Sequence, residues 1–287
     1  MKLRQSERKR AKIKMALQGS AGSGKTYSSL LLAKGLTNDN LSKVAIIDTE
    51  NGSADLYAHL GNYNVLGLKP PYTPEKYIQA IEVCERAEME VIIIDSISQC
   101  WDELLDFHSK LAGNSFANWA KITPRQKAFV DKILQADAHL IATMRTKQDY
   151  VLNQIDGKYI PEKVGLKAIQ RDGVDYEFTL VFDIDIKHFA TSSKDRTNLF
   201  SGKPEFKINQ ATGKKILEWC NSGTNLQEAR SAIKVCKDME SLKGLYNQYS
   251  QWRELLEYDF KLQKDTILSK EQLLNPQKFS KNGTTNH

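Results

Sequence analysis

Two rhythms of hydrophobic residues alternate along the chain. Short, largely apolar runs occur at Lys12–Leu17, Lys43–Asp48, Val91–Ile94 and His139–Thr143. Such runs read as strands buried on both faces of a parallel sheet. Between them, apolar residues recur every three or four positions, which reads as helices with one face in a core. The spacing predicts helices over Thr26–Leu36, from Thr73-Pro74 to about Ala87, over Trp101–Leu111, from Thr123-Pro124 to about Gln135, and over Ala211–Trp219. Thr73 supplies an N-cap and Pro74 the first helical position. A short helix is expected at Ser53–Leu60 and a further strand at Asn64–Leu68.

Other stretches lack either rhythm. Ala112–Ile122 is expected to be loose. Asp149–Lys163 is expected to form a hairpin or a mobile loop around the Asp156-Gly157 turn signal. Lys163–Gly173 reads as a basic, glycine-punctuated loop, either a phosphate contact or a solvated connection. Phe178–Ile186 is strand-like and its return partner reaches Arg196. Asn221-Ser222-Gly223-Thr224 is the best boundary in the chain. Beyond it a small helical hairpin is expected from Leu226 to about Leu262, and the polar residues after about Leu274 are expected to be disordered. The expected organisation is a basic arm (1–11), an α/β core (12–220), a helical region (221–274) and a tail (275–287).

Charge changes this picture at one end only. Of a formal net charge of +6, all resides in residues 1–14, where Lys2, Arg4, Arg8, Lys9, Arg10, Lys12 and Lys14 face only Glu7. The rest of the chain sums to zero, so the body is not a generally basic nucleic-acid binder. The arm either touches phosphates or serves as a solvated tail. No apolar run approaches the roughly 20 residues needed to span a membrane, and no secretory h-region opens the chain. Cys84, Cys100, Cys220 and Cys236 are scattered, as in a cytosolic protein with reduced thiols.

The chemistry concentrates between the first strand and the first helix. Gly19-Ser20-Ala21-Gly22-Ser23-Gly24-Lys25-Thr26 is a full G-x-x-x-x-G-K-[ST] phosphate-binding loop, with Tyr27 directly after it. Its backbone N–H groups cradle phosphates, Lys25 reaches the β- and γ-phosphates of ATP, and the Thr26 hydroxyl ligates Mg²⁺. The helix that follows adds its dipole. Four apolar residues ending in Asp95 form a Walker B pattern, making Asp95 the second Mg²⁺ residue.

The order of these motifs resembles the RecA-like ATPase core, most closely the small phage RecA-like ATPases associated with single-strand annealing and recombination. The resemblance covers roughly residues 12–200. It rests on the phosphate loop, then Ile-Asp-Thr-Glu-Asn-Gly, Ile-Ile-Ile-Asp-Ser, Met-Arg-Thr-Lys, Gln-Arg-Asp-Gly-Val-Asp-Tyr-Glu-Phe and Ser-Lys-Asp-Arg. It implies an α/β fold with a mostly parallel central sheet and a small helical C-terminal extension. It also implies that Glu50 activates the attacking water and that Lys194 and Arg196 act in trans on a neighbouring subunit's ATP. Arg145 stands where the class usually offers a glutamine sensor. Single-stranded DNA is then the expected partner, bound at 112–122 and 148–170, where Lys158, Lys163 and Lys167 accompany Tyr150 and Tyr159. A homo-oligomer with ATP at its interfaces is expected, with a single-strand-binding or annealing protein as a further partner, in a bacterial or phage-infected cytoplasm. Two other readings stay open: a helicase or loader motor, and a nucleotide-gated interaction protein with little turnover. Ser20, where partition-type ATPases carry a second lysine, argues against that class. Isolated Arg171 and Arg196 do not make the dense arginine lid of a nucleotide kinase.

Overall fold

The computed structural model describes residues 10–155, 158–222 and 226–274. Lys12–Cys220 forms one compact unit, and the described residues from Asn221 onward, with Arg10 and Ala11, form another. The larger unit is built on strands β1 (Lys14–Gly19), β2 (Val44–Asp48), β3 (Asn64–Gly67), β4 (Val91–Asp95), β5 (His139–Ile155), β6 (Lys158–Ala168), β7 (Leu180–Ile184) and β8 (Ala190–Asp195). The sheet order is β3-β2-β4-β5-β1-β7-β8, and β6 pairs with the far half of β5. β3, β2, β4, β5, β1 and β7 are parallel. β8 closes the edge antiparallel to β7.

The continuous apolar strands are continuous because both faces of the sheet are covered. Met15 and Leu17 of β1, Val44 and Ile46 of β2, and Val91 and Ile93 of β4 face one core. That core is closed by α1 (Lys25–Leu36) and the C-terminal α5 (Gln210–Asn221) through Leu30, Leu32, Leu36 and Ile216. The alternate residues Ala16, Ala45, Ile47, Ile92 and Ile94 face the other. There α2 (Pro74–Arg86) and α4 (Ser115–Gln135) supply Tyr77, Ile81, Phe129 and Ile133, and the rings of Tyr77 and Phe129 lie 5.0 Å apart. The Thr73 hydroxyl accepts from Lys76 N, capping α2. α3 (Ser98–Ser109) links β4 to α4.

Three expectations are corrected. Residues 115–122 are not loose: α4 starts at Ser115, where the Asn114 side chain accepts from Phe116 N and Ala117 N. Pro124 therefore lies inside the helix. A proline there removes one backbone hydrogen bond, but Asn118, Ile122, Gln126, Phe129 and Ile133 are buried along one face and carry the helix through it. Residues 163–168 are not a loop, because β6 runs to Ala168 against Thr146 of β5. The C-terminal region is not a two-helix hairpin: α6 (Leu226–Val235), α7 (Met239–Gln248) and α8 (Arg253–Leu274) enclose a core of Ala229, Ile233, Leu242, Tyr249, Trp252, Leu256 and Phe260. Lys14 lies in the first strand, as its apolar run predicts. It is buried in β1, and its ammonium donates to Ala136 O and Ala138 O at 2.6 and 2.5 Å. Burial lowers its pKa to about 8. Arg10 of the arm pairs with Glu228 at 2.5 Å. Residues 1–9, Asp156-Gly157 and the tail from 275 lie outside the described residues. Among the described residues, no helix is long and apolar enough to cross a membrane.

His139 opens β5 and is buried; its Nδ1 accepts from Ile13 N at 3.0 Å. Burial and the nearby Lys12 and Lys14 lower its pKa from 6.5 to about 3. The unfolded chain takes up a proton near pH 6.5 and the native chain does not, so this residue's contribution to stability is lost as pH falls below 6.5 toward 3. Between pH 7 and pH 5 the wild type should lose about 2 kcal/mol of stability that a His139→Asn variant does not lose. Urea unfolding of both proteins at the two pH values measures this difference.

Candidate active site

The phosphate loop leaves the C-terminal end of β1 and turns directly into α1. Two of its glycines are dictated by space and angle. A Cβ on Gly19 would meet Ile184 O at 2.4 Å and Ser23 Oγ at 2.5 Å. Gly24, the N-cap of α1, sits at φ +88°, a region that side chains disfavour. Ser20 follows β1, Ala21 and Gly22 form the exposed crest, and Ser23 is buried beneath it. The Lys25 ammonium curls back to donate to Gly19 O at 2.9 Å and Ser20 O at 2.8 Å. Burial lowers its pKa while Asp95 and Glu50 oppose the shift. Tyr27 is exposed on the first turn of α1, its ring 5.7 Å from that of Tyr57.

Asp95 ends β4 and is 2% exposed. One carboxylate oxygen accepts from Thr26 Oγ1 and the other from Thr143 Oγ1, both at 2.5 Å. Burial raises its pKa, and the two hydroxyl bonds pull it back. A hydroxyl and a carboxylate side by side suit a hard cation with oxygen ligands. Among the described residues no cluster of three or more His, Cys, Asp or Glu could hold a metal. Mg²⁺ keeps waters and phosphate oxygens around one or two protein ligands; Thr26 and Asp95 would be those ligands.

Glu50 lies just past β2. Asp48, the last residue of that strand, accepts from Glu50 N at 2.6 Å and Ala54 N at 3.1 Å, which fixes the turn that carries Glu50. The Glu50 carboxylate is held by Arg145, whose Nε and Nη2 donate to the same oxygen at 3.0 and 2.8 Å. Arg145 is placed by β5 and by its own N–H, which donates to Ser98 Oγ at 3.0 Å. The geometry thus gathers Lys25, Thr26, Asp95, Glu50 and Arg145 at the C-terminal edge of the central strands.

It does not bring Lys194 and Arg196 there. Lys194 pairs with Val181, which pairs with Ala16, three residues short of Gly19. That is roughly 10 Å along the strand from the loop. Lys194 donates to Tyr176 O and Asp175 O, and Arg196 to Tyr176 O at 3.3 Å. Lys194 and Arg196 therefore stand apart from the cluster in this chain.

Two residues of the cluster went unread in the sequence. Thr143 carries a visible signal, a hydroxyl at the C-terminal end of an apolar strand. Gln99, four residues past Asp95, carries only the signal of a polar side chain in the first turn after Walker B. In the amide orientation that satisfies both ends, its nitrogen lies 3.0 Å from Ser96 O and its oxygen 3.3 Å from Arg145 Nη2.

A second constellation flanks the site. The rings of Trp101 on α3 and Trp119 on α4 stack at 6.1 Å, and His108 stacks on Trp119 at 4.3 Å. Trp101 and Trp119 line a groove of about 600 Å³ together with Asp102, Lys147, Lys167, Ile169, Arg171 and Asp172. Lys167 pairs with Asp172 at 2.8 Å. Phe116, at the start of α4, is 88% exposed. The side chains of Lys158, Lys163, Tyr150 and Tyr159, expected as DNA contacts, lie outside the described residues.

The phosphate loop and Glu50 make separable predictions. Lys25→Ala should abolish turnover and weaken ATP binding, because the lost ammonium is the loop's own charge partner for phosphate; equilibrium binding of a fluorescent ATP analogue reads this. Glu50→Gln should bind Mg-ATP within a few-fold of wild type yet hydrolyse it about 10²- to 10⁴-fold more slowly, the usual loss when a general base is removed.

No curated protein matches the chain. The profile of a family described as AAA domain matches residues 11–214, the phosphate loop, Asp95, Glu50 and Arg145 included. The chain therefore belongs to the AAA domain family, and its core is a P-loop domain of the ATPase type, which implies nucleotide binding and usually Mg²⁺.

Proposed function

We propose that this protein hydrolyses ATP in an assembly-dependent way on single-stranded DNA, in the manner of the RecA-like proteins of phage-type recombination, annealing or repair. The observation that carries the reading is the Glu50–Arg145 pair. A carboxylate on the turn after β2 stands beside the phosphate-loop and Mg²⁺ residues, and a cation on β5 holds it. Mg²⁺, when bound, neutralises phosphate charge. The chain's own residues do the rest. The loop N–H groups and Lys25 hold the triphosphate, and Thr26 and Asp95 hold the cation. Glu50, released from Arg145, orients a water for in-line attack.

The DNA part of the reading is supported by the aromatic groove. Stacked rings accept any base and flanking cations track a phosphate backbone, the two elements of sequence-tolerant single-strand binding. Arg145 and Lys147 are two apart on β5, so they project from one face; one touches Glu50 and the other lines the groove. DNA in the groove and the state of Glu50 would thus be linked through one strand. The same pair supports a second reading. If nothing displaces Arg145, the protein is a nucleotide-gated interaction module that binds ATP and barely turns it over.

Each part has its test. Trp101→Ala and Trp119→Ala should each weaken binding of a single-stranded oligonucleotide by roughly 5- to 100-fold, the usual value of one stacked base, as read by fluorescence anisotropy. Unchanged affinity would move DNA to the basic arm. For the shared site, Arg196→Ala should bind ATP normally and hydrolyse it poorly, and mixing it with Glu50→Gln should restore phosphate release, since a mixed interface joins a sound Glu50 to a sound Arg196. Co-assembled mixtures without activity at any ratio would reject action in trans.

A further inference from the structure

The turn between β7 and β8 reaches back over the phosphate loop. It is a tight turn: Asp185 N donates to Phe189 O, His188 N to Asp185 O, and the Asp185 carboxylate accepts from Lys187 N at 2.9 Å and Phe189 N at 2.8 Å. This bonding leaves His188 at φ +69°, a conformation that non-glycine residues adopt uncommonly. The turn presents two side chains to the loop. Ile186 is 3.8 Å from where a Cβ on Gly22 would lie, and His188 Nδ1 is 2.9 Å from Ser23 O. A carbonyl oxygen only accepts, so Nδ1 carries the proton and donates.

The bond is made to an informative peptide. Ser23 O and Gly24 N belong to one planar trans unit, in which C=O and N–H point in opposite directions. Holding the carbonyl outward on His188 turns the Gly24 N–H inward, to the side where the loop cradles phosphate. Gly24 is flanked by the imidazole closely enough that a Cβ there would sit 3.1 Å from Nδ1. Glycine at 24 and histidine at 188 are therefore matched: one takes the left-handed turn and leaves room, the other fixes its plane. The buried Ser23 hydroxyl has no hydrogen-bond partner among the described residues, so its side chain does not do this work.

We infer that His188 is a positioning residue of the nucleotide site, presetting the Ser23–Gly24 peptide so that the Gly24 N–H faces the phosphates of a bound nucleotide. The inference rests on the phosphate-loop reading but not on DNA or hydrolysis. Without the bond the peptide can rotate, and ordering it has to be supplied by the ligand, which lowers affinity without altering the groups that react.

The test compares wild type, His188→Ala and His188→Asn, whose amide can donate from about the position of Nδ1. Calorimetric titration with Mg-ATP, Mg-ADP and adenosine, and steady-state phosphate release, are read beside thermal melting of each protein. His188→Ala should weaken Mg-ATP and Mg-ADP by roughly 3- to 10-fold, the value of one hydrogen bond. Adenosine, which has no phosphate, should be unaffected. KM should rise with kcat within about 3-fold, and His188→Asn should recover most of the loss. Equal nucleotide affinity in His188→Ala and wild type overturns the inference. So does a loss that His188→Asn shares while melting early, which marks a merely structural histidine. A wild type that binds neither ATP nor ADP overturns the phosphate-loop reading itself.

Discussion

A buried carboxylate at the end of a central strand holds this site together. Asp95 sits where β4 ends, accepts from Thr26 of the phosphate-loop helix and Thr143 of β5, and its backbone oxygen accepts from Thr49 past β2. Three strands and one helix are thus tied to a single residue. A buried carboxylate left short of partners costs on the order of 1–3 kcal/mol per missing bond, more when charged, so each of these elements is held to the position that keeps it paired. The apolar strands supply the rigidity. Because both sheet faces are covered, β1, β2, β4 and β5 cannot slip without exposing one core or the other.

That rigidity gives the loops beyond the edge their meaning. The turn after β2 carries Glu50 because both oxygens of Asp48 are occupied by its N–H groups. The turn after β7 carries His188 to the phosphate loop because the Asp185 carboxylate closes it. β5 does more than end at the site, since it continues past Arg145 to Ile155 and pairs with β6. The strand touches Glu50 through Arg145 and lines the aromatic groove through Lys147, two residues later.

Much of this was legible in the chain, for reasons that can be named. The phosphate loop, the two-sided strands and the Thr73-Pro74 helix start are local signals that tertiary packing reinforces. Pro124 misled because a proline reads as a helix start, whereas the Asn114 cap and a buried face running from Asn118 to Ile133 outweigh its one missing bond. Lys14 is legible as a strand residue, but nothing in a row of lysines marks the one whose ammonium finds two buried carbonyls. Gln99, Thr143 and His188 were out of reach for a related reason. Each matters through a partner 46 to 165 residues away, and no spacing rule spans that distance. Lys194 and Arg196 were legible as a same-face pair, and the register shows that their own phosphate loop is not what they face.

The central claim is that this cluster turns over a nucleotide. Multiple-turnover phosphate release by the wild-type protein, measured with ATP in Mg²⁺ and again in EDTA, with and without a single-stranded oligonucleotide, tests it most directly. The account predicts release that requires Mg²⁺, exceeds one phosphate per subunit and rises when the oligonucleotide is added. Tight ATP binding with no more than one phosphate released per subunit under every condition would contradict it.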